Sequence, residues 1–195
     1  MITLKTVLKS GGEYKPEHVL RMRDMLARYV DCESKFVCYS DADIPGMEVR
    51  PLLHAWPGWW SKLEIFRDND EQSFYIDLDM TIDQNITDIV SYKSNFIALR
   101  NMNARIAGIG SAMMGWVGNK PSVYVAMECA TADIIKKFSG KMGTPYHGDQ
   151  GLLWDFYSGN FEFYQDIFPN RIKRFNERGG CVKVFYGRNR PWERG

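Results

Sequence analysis

The segment Phe74-Tyr75-Ile76-Asp77-Leu78-Asp79-Met80 ends an apolar run in two acids spaced i, i+2. If the run is a strand, alternation puts both carboxylates on one face, where they repel unless a cation lies between or beside them. A hard divalent ion, Mn2+ or Mg2+, accepts such oxygen ligands. Bound to a diphosphate, the same ion would neutralise a departing leaving group. A lone D-x-D is also common as a pair of solvated turn acids. The aromatic and aliphatic lead-in favours a use, because a buried strand that ends in charge must satisfy that charge.

Four other clusters could do chemistry. Ser10-Gly11-Gly12 separates a strand from a helix, where glycines let backbone approach a ligand and a helix N-terminus favours an anion; the plain alternative is a tight turn. No G-x-G-x-x-G and no G-x-x-x-x-G-K-[ST] is present, which argues against a dinucleotide fingerprint and a P-loop. Lys62 projects from the aromatic stretch 56–66, either to pair with phosphate or with Asp77 and Asp79, or to snorkel to solvent. In Tyr146-His147-Gly148-Asp149-Gln150, His147 is a candidate metal ligand, acceptor contact or surface residue. Asp149 is either a helix cap or a group that orients or deprotonates an acceptor hydroxyl. Arg188 and Arg190, in the closing Gly187-Arg188-Asn189-Arg190-Pro191-Trp192, suit phosphate oxygens through charge-assisted bonds or form a basic tail.

The elements that must position these groups alternate. Ile2 to Leu8, Lys35 to Tyr39 and Ser73 to Leu78 read as strands, and Asn95 to Arg100 and Ser111 to Trp116 as weaker ones. Val19, Met22, Leu26 and Tyr29 recur at helical steps, so Pro16 to Val30 reads as a helix. Ser122 to Phe138 carries Val123, Met127, Ala130, Ile134 and Phe138 on one helical face. Gln150 to Tyr157 is a short helix, and Ile172 to Phe175 and Cys181 to Tyr186 are final strands. The expected fold is a single α/β domain, residues 1–195, with an open, mostly parallel sheet flanked by helices. Ligands of such sheets sit beyond the strand carboxyl ends, where Lys9 to Gly12, Ser40-Asp41-Ala42-Asp43 and Asp77-Leu78-Asp79 all fall.

Composition sets the class. Hydrophobic residues make up 45% of the 195, an ordinary globular share. No apolar run approaches the roughly 18 residues of a membrane span. The first residues lack a signal-peptide core, and the four scattered cysteines have no C-x-x-C spacing; a cytoplasmic location is expected. The net charge is +1, yet residues 171–195 hold eight Lys/Arg against two Asp/Glu. Interleaved with Phe175, Phe185, Tyr186 and Trp192, that segment could also engage a phosphate backbone, so a nucleic-acid-directed protein is the rival reading.

In sequence order these segments resemble the small GT-A-type glycosyltransferases distantly related to the glycogenin-like (family 8) nucleotide-sugar transferases. The series runs through Lys9 to Tyr14, Phe36 to Asp41, Gly58 to Glu64, Tyr75 to Asp79, Gly110 to Trp116, Gly148 to Gln150 and Gly187 to Glu193, and covers nearly the whole chain. The resemblance implies a metal-dependent enzyme moving sugar from a nucleotide-diphosphate-sugar, commonly a UDP-sugar, to an acceptor hydroxyl. It implies Leu8, Lys9, Gly11 and Tyr14 around the nucleotide, Asp41 at the base, and Asp77 and Asp79 on Mn2+ or Mg2+. Lys62 and Arg190 would lie near the phosphates, and Asp149 and Gln150 would face the sugar and acceptor. Relatives carry a metal-binding histidine in the closing motif, where this chain has Val184 and Tyr186. A phenol is a poor ligand because its ordinary pKa is about 10. The ion would then be completed by His147 or water, or partly replaced by Arg188 and Arg190. A glycosyltransferase acting on modified DNA bases and a catalytically silent nucleotide-sugar-binding module both stay open.

Overall fold

The computed structural model describes residues 1–103, 105–140, 146–187 and 189–193. In chain order the elements are β1 (Ile2–Leu8), α1 (Pro16–Tyr29), β2 (Ser34–Ser40), β3 (Glu48–Pro51), a 3-10 helix (Gly58–Phe66), β4 (Gln72–Ile76), β5 (Thr81–Ile82) and α2 (Thr87–Ser91). Then come β6 (Ile97–Arg100), β7 (Ile109–Val117), α3 (Pro121–Cys129), α4 (Thr131–Phe138) and α5 (Gly148–Tyr157). The chain closes with β8 (Glu162–Phe163), α6 (Tyr164–Ile167), β9 (Ile172–Arg174), β10 (Val182–Val184) and a short 3-10 turn (Pro191–Glu193). Among the described residues no helix is long and apolar enough to cross a membrane.

One sheet runs β3-β2-β1-β4-β7-β6-β8, and a small one runs β5-β10-β9. Strands β3, β2, β1 and β4 are parallel, with Lys5 beside Tyr75 and Leu8 beside Ser40; β7 is antiparallel to both its neighbours. The carboxyl ends of β1, β2 and β4 therefore open on one edge, as the strand pattern required. Alternation along β4 sends Phe74 and Ile76 to the layer that packs on α1, and Tyr75 to the layer under the 3-10 helix, α3 and α5.

Lys5 is fully buried in the middle strand. Its ammonium donates to the Ile65 carbonyl (2.8 Å) and pairs with Asp70 (2.9 Å), and Arg50 reaches Asp70 (3.1 Å) and Asp68 (3.0 Å). Burial alone would raise the Asp70 carboxyl, but hydrogen bonds from Arg50, Lys5 and Thr3 and the Lys5 charge hold it well below its usual range. A carboxylate depressed in the fold contributes stability above its unfolded pKa, about 3.9, and loses it as pH falls below that value. Urea denaturation at a series of pH values should thus show stability dropping below about pH 4. Asp70→Asn should flatten that limb, and an unchanged limb in the variant would assign the acid loss elsewhere.

Two expectations change. The helix read over Ser122 to Phe138 is two helices, broken at Ala130 (φ −139°, ψ 37°). The Thr131 hydroxyl takes the Met127 carbonyl (2.6 Å), a local bond that competes with the helical ladder. Val123, Met127 and Phe138 are buried, whereas Ala130 and Ile134 are only half-buried. Among the described residues, four of the C-terminal cations are also taken up by partners within the fold. Arg171 pairs with Asp88 (2.7 Å), Lys183 caps the Glu177 and Gly179 carbonyls, Arg174 donates to Met102, and Arg190 pairs with Glu13. A surface for duplex phosphate contacts therefore lacks support.

Candidate active site

Two clefts open beyond the strand ends. The inner one, about 560 Å³, is bounded by Val7, Lys9, Gly11, Tyr14 and Ser61. The outer one, about 690 Å³, is bounded by Asn101, Asn103, Ser111, Asp149, Gln150 and Tyr186. They share Trp59, Lys62, Asp77 and Arg190. Two cations and an acid thus stand where one cleft passes into the other.

Asp77 reaches this junction, and Asp79 the outer cleft beside it, by a different route from strand alternation. Strand β4 ends at Ile76; the Asp77 amide still bonds Ala112 of β7 (2.8 Å), and the Met80 amide returns to the Asp77 carbonyl (3.3 Å). Leu78 and Asp79 lie in that turn, which Arg21 of α1 pins by donating to the Leu78 (2.5 Å) and Met80 (3.3 Å) carbonyls. Asp77 accepts from Tyr75 and pairs with Lys62 (3.1 Å). Oδ2 of Asp79 accepts from the Tyr14 hydroxyl (3.0 Å) and lies 3.5 Å from Arg190. Burial and then the Asp77 charge raise Asp79 to about 6, against the opposing Tyr14 bond and the charges of Arg190 and Lys62. Burial and the two aspartate charges in turn push the Tyr14 phenol far above its ordinary value.

Lys62 is held on three sides: Asp77, Asp149 (3.3 Å) and the Ser111 hydroxyl (3.1 Å). Burial lowers its pKa, but Asp149 and Asp77 outweigh that and raise it, so it stays an ammonium. The snorkelling alternative fails because Lys62 is 8% exposed. Asp149 is no cap. His147 occupies the N-cap position of α5, and the Asp149 carboxylate accepts from Ser111 (2.6 Å) inside the cleft. Gly148 sets this up: its φ is +65°, and a Cβ there would sit 2.8 Å from Trp59 Nε1. Only glycine lets the start of α5 close on the indole.

Other expected site residues separate. Lys9, Gly11 and Tyr14 line the inner cleft and Gln150 the outer. Leu8 does not reach the inner cleft; its side chain is buried in the α1 layer, and Val7, one position earlier on the alternate face, lines it instead. Asp41 lies outside both clefts and caps the β1 loop, accepting from the Ser10 amide (2.7 Å) and hydroxyl (2.9 Å) beside Lys9 (3.4 Å). Arg188 lies outside the described residues. His147 gives its ring nitrogen to the Gly140 carbonyl (2.7 Å) and packs against Trp59. Among the described residues no group of three His, Cys, Asp or Glu side chains is placed to hold a metal ion. Ser111, Trp59, Arg21 and the stack of Trp192 on His18 (3.8 Å) were not assigned a role from sequence, since each matters through a partner far along the chain.

No protein-family model and no curated protein sequence matches this chain. Solved structures do. The glycosyltransferase GlyE of Streptococcus pneumoniae TIGR4 matches with a TM-score of 0.71 at 12% identity, over 98% of this chain and 57% of GlyE. The galactosyltransferase LgtC, in complex with donor and acceptor sugar analogs, matches with a TM-score of 0.67 at 9% identity, over 97% of this chain and 89% of LgtC. This chain has a GT-A glycosyltransferase fold. It spans little more than half the length of GlyE. In this GT-A sheet the ends of β1 and β4 furnish the inner cleft together with the 3-10 helix, while β7 and α5 furnish the outer one through Ser111 and Asp149.

Proposed function

We propose that the chain is a glycosyltransferase that moves a sugar from a nucleotide-diphosphate-sugar, with UDP-sugars the first to test, to an acceptor hydroxyl. The observation that carries this is the junction of the two clefts at Lys62, Arg190 and Asp77. A nucleotide sugar has the same order of parts: a nucleoside, a doubly charged diphosphate, then a neutral sugar. The fold shared with LgtC, crystallised with donor and acceptor sugar analogs, supports the same reading.

In this reading Lys9, Gly11 and Tyr14 border the nucleoside, and Asp41 acts through the Ser10 loop. Lys62 and Arg190 face the diphosphate and stabilise its charge as it departs. Asp149 and Gln150 face the transferred sugar and the acceptor. The donor set of Asp77 and Asp79 fits Mn2+ or Mg2+, because hard ions are commonly held by one or two carboxylates together with substrate phosphates. When bound, such an ion supplies Lewis-acid stabilisation of the leaving diphosphate.

The test is incubation with a panel of nucleotide sugars and Mn2+, following release of nucleoside diphosphate. One donor should be turned over, and Asp79→Ala should cut the rate by about 100-fold or more. Binding of UDP without turnover of any donor would mark a silent binding module. Neither binding nor turnover would end the donor reading.

A further inference from the structure

The two cations at the junction are held in different ways. Lys62 is locked between the buried Asp149, the half-buried Asp77 and the Ser111 hydroxyl, on three separate elements. It cannot leave without stranding Asp77 and Asp149. Arg190 lies beyond the last strand, on a segment that carries its own ties. Its guanidinium donates to the Gly187 (2.8 Å) and Asn189 (2.9 Å) carbonyls of that segment. Outward it pairs with Glu13 and sits 3.5 Å from Oδ2 of Asp79, the oxygen that Tyr14 also holds. Its Nε is buried with no hydrogen-bond partner among the described residues.

We propose that Arg190 is an exchangeable counter-ion. In the nucleotide-free protein it neutralises Asp79, and when a diphosphate enters it transfers to the phosphates, leaving Asp79 free for a divalent cation. This rests on the nucleotide-sugar reading above. A guanidinium fork suits phosphate at least as well as carboxylate, and the incoming diphosphate carries more charge than Asp79. With two carboxylates and no third acidic, histidine or cysteine ligand among the described residues, a metal ion gains its remaining ligands only with the diphosphate. Metal and nucleotide must then strengthen each other by one common factor.

Calorimetry with manganese chloride and UDP tests this. On the native chain, UDP should tighten Mn2+ binding by about tenfold or more, and Mn2+ should tighten UDP by the same factor. Arg190→Gln should act in opposite directions, tightening Mn2+ binding without nucleotide by roughly threefold or more while weakening UDP by about tenfold. A residue that merely holds the fold would weaken both. Asp79→Asn gives a second reading that does not need Arg190→Gln to fold: in EDTA it should bind UDP more tightly than the native chain, because one of the two acids that compete with phosphate for Arg190 is gone. If Mn2+ alone binds Arg190→Gln no better than the native chain, or Asp79→Asn weakens metal-free UDP binding, the counter-ion role is overturned while the donor reading stands. If the native chain binds no UDP with or without Mn2+, the donor reading falls, and this proposal with it.

Discussion

Lys62→Met should remove donor turnover, lower the affinity for nucleoside diphosphate and destabilise the chain, all at once. Methionine keeps the length and apolar stem and deletes only the charge. Lys62 borders both clefts, so its loss is felt by the nucleotide and by the reacting sugar. Removing one preorganised donor to a developing oxyanion costs about 10²–10³ in kcat. Asp77 and Asp149 would also face each other across the vacated space without their shared cation. Breaking a buried pair by deleting one partner costs about 3–5 kcal/mol, since the remaining charge stays buried. Urea denaturation reads that loss and calorimetry reads the UDP affinity. A variant with native stability and native UDP binding would show that the ammonium neither holds the acids nor meets the diphosphate.

Asp149→Asn should separate the two effects. Asp149 borders the outer cleft and not the inner one. UDP affinity should therefore stay within about threefold, while kcat falls by roughly 10²–10⁴, the range for losing a proton-transferring or orienting carboxylate. The amide can still accept from Ser111, so the start of α5 should keep its place. Ser111→Ala is the companion: it keeps the carboxylate and removes the hydroxyl that bonds both Asp149 (2.6 Å) and Lys62 (3.1 Å), and should cost much less than Asp149→Asn. If UDP affinity falls in Asp149→Asn as far as kcat does, Asp149 works through Lys62 and is a positioning residue.

The two predictions differ because of geometry that no local pattern contains. Asp77 and Asp79 were legible from the apolar run before them, but the cause of their meeting was not. A turn pinned by Arg21, 57 residues from Leu78, sets Asp77 at the junction and Asp79 in the outer cleft beside it. Likewise, alternation shows that Val7 and Leu8 face opposite ways, and only the docking of α1 decides that Leu8 is the buried one. Asp41 sits at the right strand end, yet the adjacent Ser10 amide claims it. The excess of C-terminal cations read as a surface, but Asp88 and Glu13 pair with Arg171 and Arg190 from far along the chain.

The amino-acid order by itself determined the three parallel strands with polar ends, the first helix, and the acids that close β4, because these depend on periodicities of two and about 3.6 and on nearest neighbours. Tertiary structure alone decided that Lys62 is a locked cation shared by Asp77 and Asp149, that Asp149 serves the cleft and not the helix, and that Arg190 lies against Asp79. These are pairings between charges brought close only when β4, β7, α5 and the C-terminal segment converge, and their strength depends on the burial that the convergence creates.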